Sequence, residues 1–193
     1  MALVCGSVAE VVGGWSSFAL VWLGVLAFAG TIIGINQTRQ NARRARTLDY
    51  LRRLDGHTPL STQVVAFLMT GDSRAFMPGA RVVGASEPSP AAMVRAFSEL
   101  DIETQGRVFI LLNFYEEMSC SYNHGLLDED IAKKMLAPHI QTVWEEAEGF
   151  IRQWRAQLKA QSPEDNWDLE VANEMLIEWE TLARYLKRNQ DGE

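Results

Sequence analysis

The chain has 193 residues, enough for one ordinary domain with an appendage and too short for two of full size. Its two cysteines, Cys5 and Cys120, are far apart in sequence, which excludes a secreted disulfide framework and fits a reducing compartment. The net charge of -7 hides a split: residues 39–53 hold six arginines against Asp49 alone, while from Leu54 onward 12 Lys and Arg face 23 Asp and Glu, a balance that repels a polyphosphate backbone and excludes nucleic acid as the expected partner.

Residues 1–14 read as a short extracytoplasmic N-terminus. No charged residue occurs over the 28 positions between Glu10 and Arg39, and Trp15 to Ile35 is rich in Leu, Val, Ile, Phe, Ala and Gly. A helix of about 20 such residues crosses roughly 30 Å of hydrocarbon, so residues 15–36 are expected to span a membrane, with Trp15 at its outer interface. A cleaved leader fits less well. The "AFAG" at Ala27 to Gly30 resembles a cleavage site, yet no Lys or Arg precedes the apolar run, and Ile32, Ile33 and Ile35 continue it past that point. Arg39, Arg43, Arg44 and Arg46 follow at once. The positive-inside bias then places the C-terminal part in the cytoplasm, with these guanidinium groups at the anionic headgroup layer. Within the span, Ala27, Gly30 and Gly34 lie on one side, forming a shallow strip against which a second helix could pack.

Residues 37–56 continue as a basic juxtamembrane helix, with Leu48, Leu51 and Leu54 expected on one face and Gly56 to Pro59 as its end. Residues 57–189 form the acidic cytoplasmic domain, and 190–193 a tail. Pro59 is expected to start a new helix that Gly71 closes. A long connection follows, with a short extended piece at Arg81 to Val83. Ser89 and Pro90 give a cap and first-turn pair, and helical patterning then runs to His124 and Gly125, interrupted near Asp101 or Gly106. Asp128 caps a short helix, and a longer one begins at or after Pro138. Two regular amphipathic faces come late: Ile140, Val143, Trp144, Ala147, Ile151, Trp154 and Leu158, then Leu169, Ala172, Leu176, Trp179, Ala183 and Leu186 after a Ser162–Pro163 start. No alternation of period two is sustained. The expected fold is all-α: one transmembrane helix continuing into a cytoplasmic bundle of about five or six helices.

The densest polar stretch is "LLNFYEEMSCSYNHGLLDED", residues 111 to 130. Glu116, Cys120 and His124 follow at i, i+4, i+8 and so share a helical face, and an oxygen, a sulfur and a nitrogen there would suit a metal if a fourth ligand such as His139 joined them. The spacing is not that of a structural zinc site. Adjacent Glu116 and Glu117 diverge by about 100° and cannot act as a convergent acid–base pair; one is expected to be solvated and the other to pair with an Arg of another helix. No phosphate-loop, dinucleotide, nucleophile-elbow or zinc-protease motif occurs in the chain. No catalytic residue, metal ligand or cofactor is therefore assigned.

The succession "TLDYLRRLD" after an anchor, then "LLNFYEEM", "HGLLDED" and "VWEEAEGFIRQWR", resembles a bacterial and phage-encoded family known as domain of unknown function 4760, over roughly residues 40 to 185. Asn113 and Glu116, Gly125 and Asp128, and Trp144 occupy its recurring places. The resemblance implies a fold and no reaction. Physically, Gly125 would end a helix, Asp128 cap the next and Trp144 pack below the turn, with Asn113 and Glu116 satisfying buried backbone groups at that junction. The expected function is a non-enzymatic, single-pass accessory or scaffolding module of the bacterial inner membrane. Its partner would be an integral-membrane or cytoplasmic protein, or a second copy of the chain. The alternative is a small metal-dependent or hydrolytic effector built on Glu116 to His124.

Overall fold

The computed structural model describes residues 5–77, 88–161 and 174–190, and the side chains of these apart from 5–22, 24, 161 and 190. All regular structure among the described residues is helical. The chain divides into two compact units, Met1–Arg43 and Arg44–Glu193. The first helix, α1 (Cys5–Thr70), supplies the regular structure of the first unit and opens the second. In the first unit Leu23, Leu26, Phe28 and Ile33 are all more than half exposed, and the hydroxyls of Thr31 and Thr38 donate back to the carbonyls of Ala27 and Gly34. No helix among the described residues is long and apolar enough to cross a membrane. Part of the expected span, residues 15–22 with Trp15, falls on side chains outside those described.

In the second unit α1 runs through the expected stop at Gly56 to Pro59 without ending. The cause is a packed face that continues on either side of it: Thr47, Tyr50 and Leu54 are buried, His57 and Ser61 half-buried, and Val64, Phe67 and Leu68 buried again. These positions step by three and four, which is the helical period. Gly56 and Pro59 lie on the opposite, exposed side. A mid-helix proline costs about 3 kcal/mol, whereas burying Val64, Phe67 and Leu68 contributes roughly 1.5 to 3 kcal/mol each. Packing therefore wins. Thr58 helps locally by donating its hydroxyl to the Leu54 carbonyl at 3.1 Å. Leu48, expected on the packed face, is 57% exposed, because Tyr50 and not Leu48 shares the side of Leu54. The helix ends at Gly71, whose φ of +66° is a left-handed cap that a side chain would strain.

A 3-10 turn, Ser73–Phe76, is capped by Asp72. The extended piece expected at Arg81 to Val83 lies outside the described residues. Helix α2 (Pro90–Ser98) opens with the Ser89 cap as expected, and Asp101, through the Thr104 amide at 2.9 Å, caps α3 (Ile102–Asn123). Gly106 stays inside α3, so the interruption falls at Asp101. Gly125, with φ +63°, turns the chain after α3, and the Asp128 carboxylate accepts the Ile131 amide at the start of α4 (Glu129–Ile131). A π-helical turn, Ala132–Leu136, then leads without a break into α5 (Ala137–Gln161). The expected start at Pro138 is thus the first turn of a helix already under way, and the wider π turn, closed by Ala137 N–H to the Ala132 carbonyl, precedes the residue that lacks an N–H. The last helix, α6 (Ile177–Gln190), follows Leu176, which is buried yet holds a φ of +59°. The expected Ser162–Pro163 start, Leu169 and Ala172 lie outside the described residues.

The core sits between α3, α5 and α6, with α2 closing against α5 and the second half of α1 against α3. Trp179 is fully buried, stacked on Tyr115 at 4.8 Å and edge-on to Trp144 at 5.3 Å. Its indole N–H donates to the Ile140 carbonyl at 3.1 Å, so the ring is buried with its one polar atom satisfied. Trp154 is half-buried in a second aromatic cluster with Phe97, Phe109 and Phe150. Gly149 lets the start of α2 approach α5: a methyl group there would meet the Pro90 ring at 3.4 Å.

Candidate functional site

Polar side chains with long-range partners gather on the two flanks of α3. On the flank facing α1, Arg53 donates both terminal nitrogens to the Glu117 carboxylate, at 3.1 and 3.0 Å, and its guanidinium lies over the Phe114 ring at 5.0 Å. The Tyr50 hydroxyl bonds the same carboxylate at 3.0 Å and the Ser121 hydroxyl at 2.9 Å. The Arg53 hydrogen bonds hold the Glu117 carboxyl below the usual glutamate range. This is the expected Glu–Arg pair between helices, but the other glutamate, Glu116, is half-buried and hydrogen-bonded rather than solvated. One end further along, Arg44 donates to Asp128 at 3.0 Å, and the Asp128 amide donates to the buried Thr47 hydroxyl at 2.9 Å. Asp128 thus caps α4 as expected and also ties the Gly125 turn to α1. Its carboxyl is lowered, first by the Arg44 hydrogen bond.

On the other flank, Glu116 reaches α6. Its two oxygens accept the amides of Glu178 and Trp179, at 3.0 and 2.8 Å, so α3 supplies the N-terminal cap of another helix. Burial raises the Glu116 carboxyl, and these two amide bonds draw it back down only in part. Asn123 joins from the same helix, donating to the Glu178 carbonyl and carboxylate at 3.1 and 2.7 Å. From α5, Arg155 donates to the Met175 carbonyl and, at 2.5 Å, to the Glu180 carboxylate. Burial pushes Glu180 up, but its bonds and charges with Arg155 and the charge of Arg184 outweigh that and leave it lowered.

On the helical face of Glu116, Cys120 and His124, Glu116 is thus occupied by two backbone amides of α6. Cys120 lies 3.7 Å from His124 Nδ1, which itself sits 2.9 Å from the Cys120 carbonyl, and burial raises the Cys120 thiol, which opposes a reactive thiolate. Among the described residues no group of three or more His, Cys, Asp and Glu could hold a metal, and His139 is an exposed residue of α5. Asn113 is exposed. The backbone duty foreseen for it with Glu116 falls to Asn123, and it is done at α6 rather than at the Gly125 junction. His57, foreseen in a turn, sits mid-helix against Phe114 at 4.8 Å. Trp144 is buried against Trp179.

A family model described as Domain of unknown function (DUF4760) matches residues 16–184. The chain belongs to this family. No curated protein and no solved structure matches it. On this member of the DUF4760 family the recurring residues play separate parts. Gly125 and Asp128 shape the turn that receives α1, Glu116 caps α6, and Trp144 backs the Trp179 ring. Sequence reasoning missed Tyr50, Thr47, Asn123, Arg155 and Glu180. Their partners lie between 20 and 81 positions away, and no local spacing signals such a pairing.

Proposed function

We propose that this chain is a non-enzymatic, single-pass membrane protein of the bacterial inner membrane, N-terminus outside, whose acidic helical domain holds a protein partner at the cytoplasmic face. The observation that carries the reading is the charge-free run from Trp15 to Ile35 followed by Arg39, Arg43, Arg44 and Arg46. The exposure of Leu23, Leu26, Phe28 and Ile33 supports it, since large apolar side chains in a row call for a bilayer or another chain to cover them. The non-enzymatic part is supported by the occupation of Glu116 by two backbone amides and of Glu117 by Arg53 and Tyr50, which leaves neither carboxylate poised over a substrate.

Ala27, Gly30 and Gly34 give the anchor a face on which a partner helix can pack, with open space around both glycines. Protease protection on intact spheroplasts tests the topology. Digestion of the C-terminal domain from outside, or a mature chain beginning near Gly30, overturns it. The partner is tested by copurification in mild detergent. Gly30→Leu with Gly34→Leu should leave insertion unchanged and cut the copurified complex; wild-type recovery would move recognition to the cytoplasmic helices.

A further inference from the structure

Between α1 and α3 the second unit leaves a hollow of about 530 Å³, and its lining is balanced in charge. Its lining includes two guanidinium groups, Arg46 and Arg53, and two carboxylates, Asp49 and Glu117, together with Tyr50 and Ser121. Arg46, Asp49, Tyr50 and Arg53 share one side of α1 at i, i+3, i+4 and i+7. Arg53 is already held by Glu117, at 3.0 Å, so it is not free to take an incoming anion. Arg46 is exposed and makes no hydrogen bond or ion pair among the described residues. The hydroxyls add a direction. Tyr50 donates to Glu117, so Ser121 donates to the Tyr50 oxygen, and both oxygens then offer only lone pairs to the hollow. The two hydroxyl oxygens thus want a hydrogen-bond donor and Asp49 a positive charge, while Arg46 offers one unengaged cation. A lone anion would meet Asp49 beside Arg46, and a lone cation would meet Arg46 beside Asp49; a ligand with both charges meets neither penalty. Leu126, 41% exposed, adds an apolar edge to the same hollow.

We infer that this hollow binds a phosphate ester that also carries a primary ammonium group, the phosphate at Arg46 and the ammonium toward Asp49 and the two hydroxyl oxygens. The phosphoethanolamine unit meets this description, either as a lipid headgroup or as a soluble glycerophosphoester. Only the lipid source rests on the membrane-anchored reading; the charge pairing stands without it. The test uses the full chain in neutral detergent micelles, with the backbone amide resonances of Ser121 and Glu117 as reporters. Glycerophosphoethanolamine should shift them at roughly tenfold lower concentration than glycerol phosphate or ethanolamine alone, each of which satisfies one half of the site. Arg46→Gln should weaken that binding about tenfold, and Asp49→Asn should erase the preference over glycerol phosphate. Both side chains are exposed, so the fold should survive. Nanodiscs then separate the sources: larger shifts with phosphatidylethanolamine than with phosphatidylcholine, whose quaternary ammonium donates no hydrogen bond, assign the lipid, and equal shifts assign the soluble ester. Reporters that do not respond to glycerophosphoethanolamine, or that respond equally to glycerol phosphate, overturn the inference. Retention of the chain in alkali-washed membranes is scored apart, so failure of the hollow is not confused with failure of the anchor.

Discussion

Replacing Pro59 by Ala separates the helix seen in the structure from the turn that its sequence suggests. Pro59 is exposed, sits within α1 and is flanked by residues whose next packed neighbours, Leu54 and Val64, are both buried. Because proline has no N–H, the Asp55 carbonyl lacks its helical donor. Alanine restores that bond and removes the ring from the preceding turn. The full difference between Pro and Ala in a helix interior is about 3 kcal/mol, and a single net hydrogen bond is worth about 1. Proline also restricts the unfolded chain, which offsets the gain by roughly 0.4 to 1 kcal/mol where its geometry is tolerated. Pro59→Ala should therefore stabilise the domain by about 0.5 to 2.5 kcal/mol, a rise in Tm of roughly 1 to 10 °C for a chain of this size. Gly56→Ala, on the same exposed side, should add about 0.5 to 1 kcal/mol. Guanidinium titration of the detergent-solubilised chain, followed by far-ultraviolet circular dichroism, reads both. Destabilisation by more than about 1 kcal/mol in Pro59→Ala would mean that the chain turns there, and would refute the continuous packed face.

Trp179→Ala should cost about 3 to 5 kcal/mol, more than Trp154→Ala, because only Trp179 is fully buried with its N–H bonded; equal midpoint shifts would contradict that ranking. Glu116 and Glu117 should respond to acid with opposite signs. The lowered Glu117 contributes stability present above the ordinary glutamate pKa and lost as pH falls through its folded value; being exposed and paired at the surface, it is worth roughly 0.2 to 1 kcal/mol. The raised Glu116 contributes stability at low pH that is lost as pH rises through its folded value. Denaturation midpoints of Glu116→Gln and Glu117→Gln, taken from pH 4 to 7, should diverge from wild type in opposite directions, and parallel profiles would show that the two carboxyls share one environment. Asp128→Ala removes a cap and the Arg44 pair together and should lower the denaturation midpoint, which Asp128→Asn should largely restore; no loss in Asp128→Ala would remove the turn from the α1 contact.

The late helices were legible because their faces are dense: Ile140, Trp144, Ala147 and Ile151, and Trp179, Ala183 and Leu186, repeat at helical spacing and are all buried, whereas Leu176, expected in the same helix, lies just before α6 with a left-handed backbone. Ser89, Gly125 and Asp128 were legible because caps and left-handed turns are local chemistry, while at Asp101 only a break, there or at Gly106, was foreseen and not the cap. Pro59 and Pro138 misled for a shared reason. Each has a strong local meaning that the packing of residues on both sides overrides. The α3 flanks were half legible. That one of Glu116 and Glu117 would find an arginine followed from their adjacency, but nothing local could say which of the two, or that Arg53, 64 positions before Glu117, would be its partner. Nor does a glutamate advertise that it caps a helix 62 positions downstream.

Leu176 holds two demands in conflict. Its backbone, at φ +59°, is in the region that glycine or asparagine enters cheaply and that costs other residues roughly 1 to 3 kcal/mol; its side chain, 2% exposed, fills a space whose loss on truncation to a small residue costs about 2 to 5. The two sums are close, and the side chain wins narrowly. Substitutions that relax the main chain there forfeit the volume, and those that keep the volume keep the tension. The position is therefore expected to drift among side chains of leucine's size, with glycine, the usual remedy for a left-handed residue, excluded from the very place where the backbone would favour it.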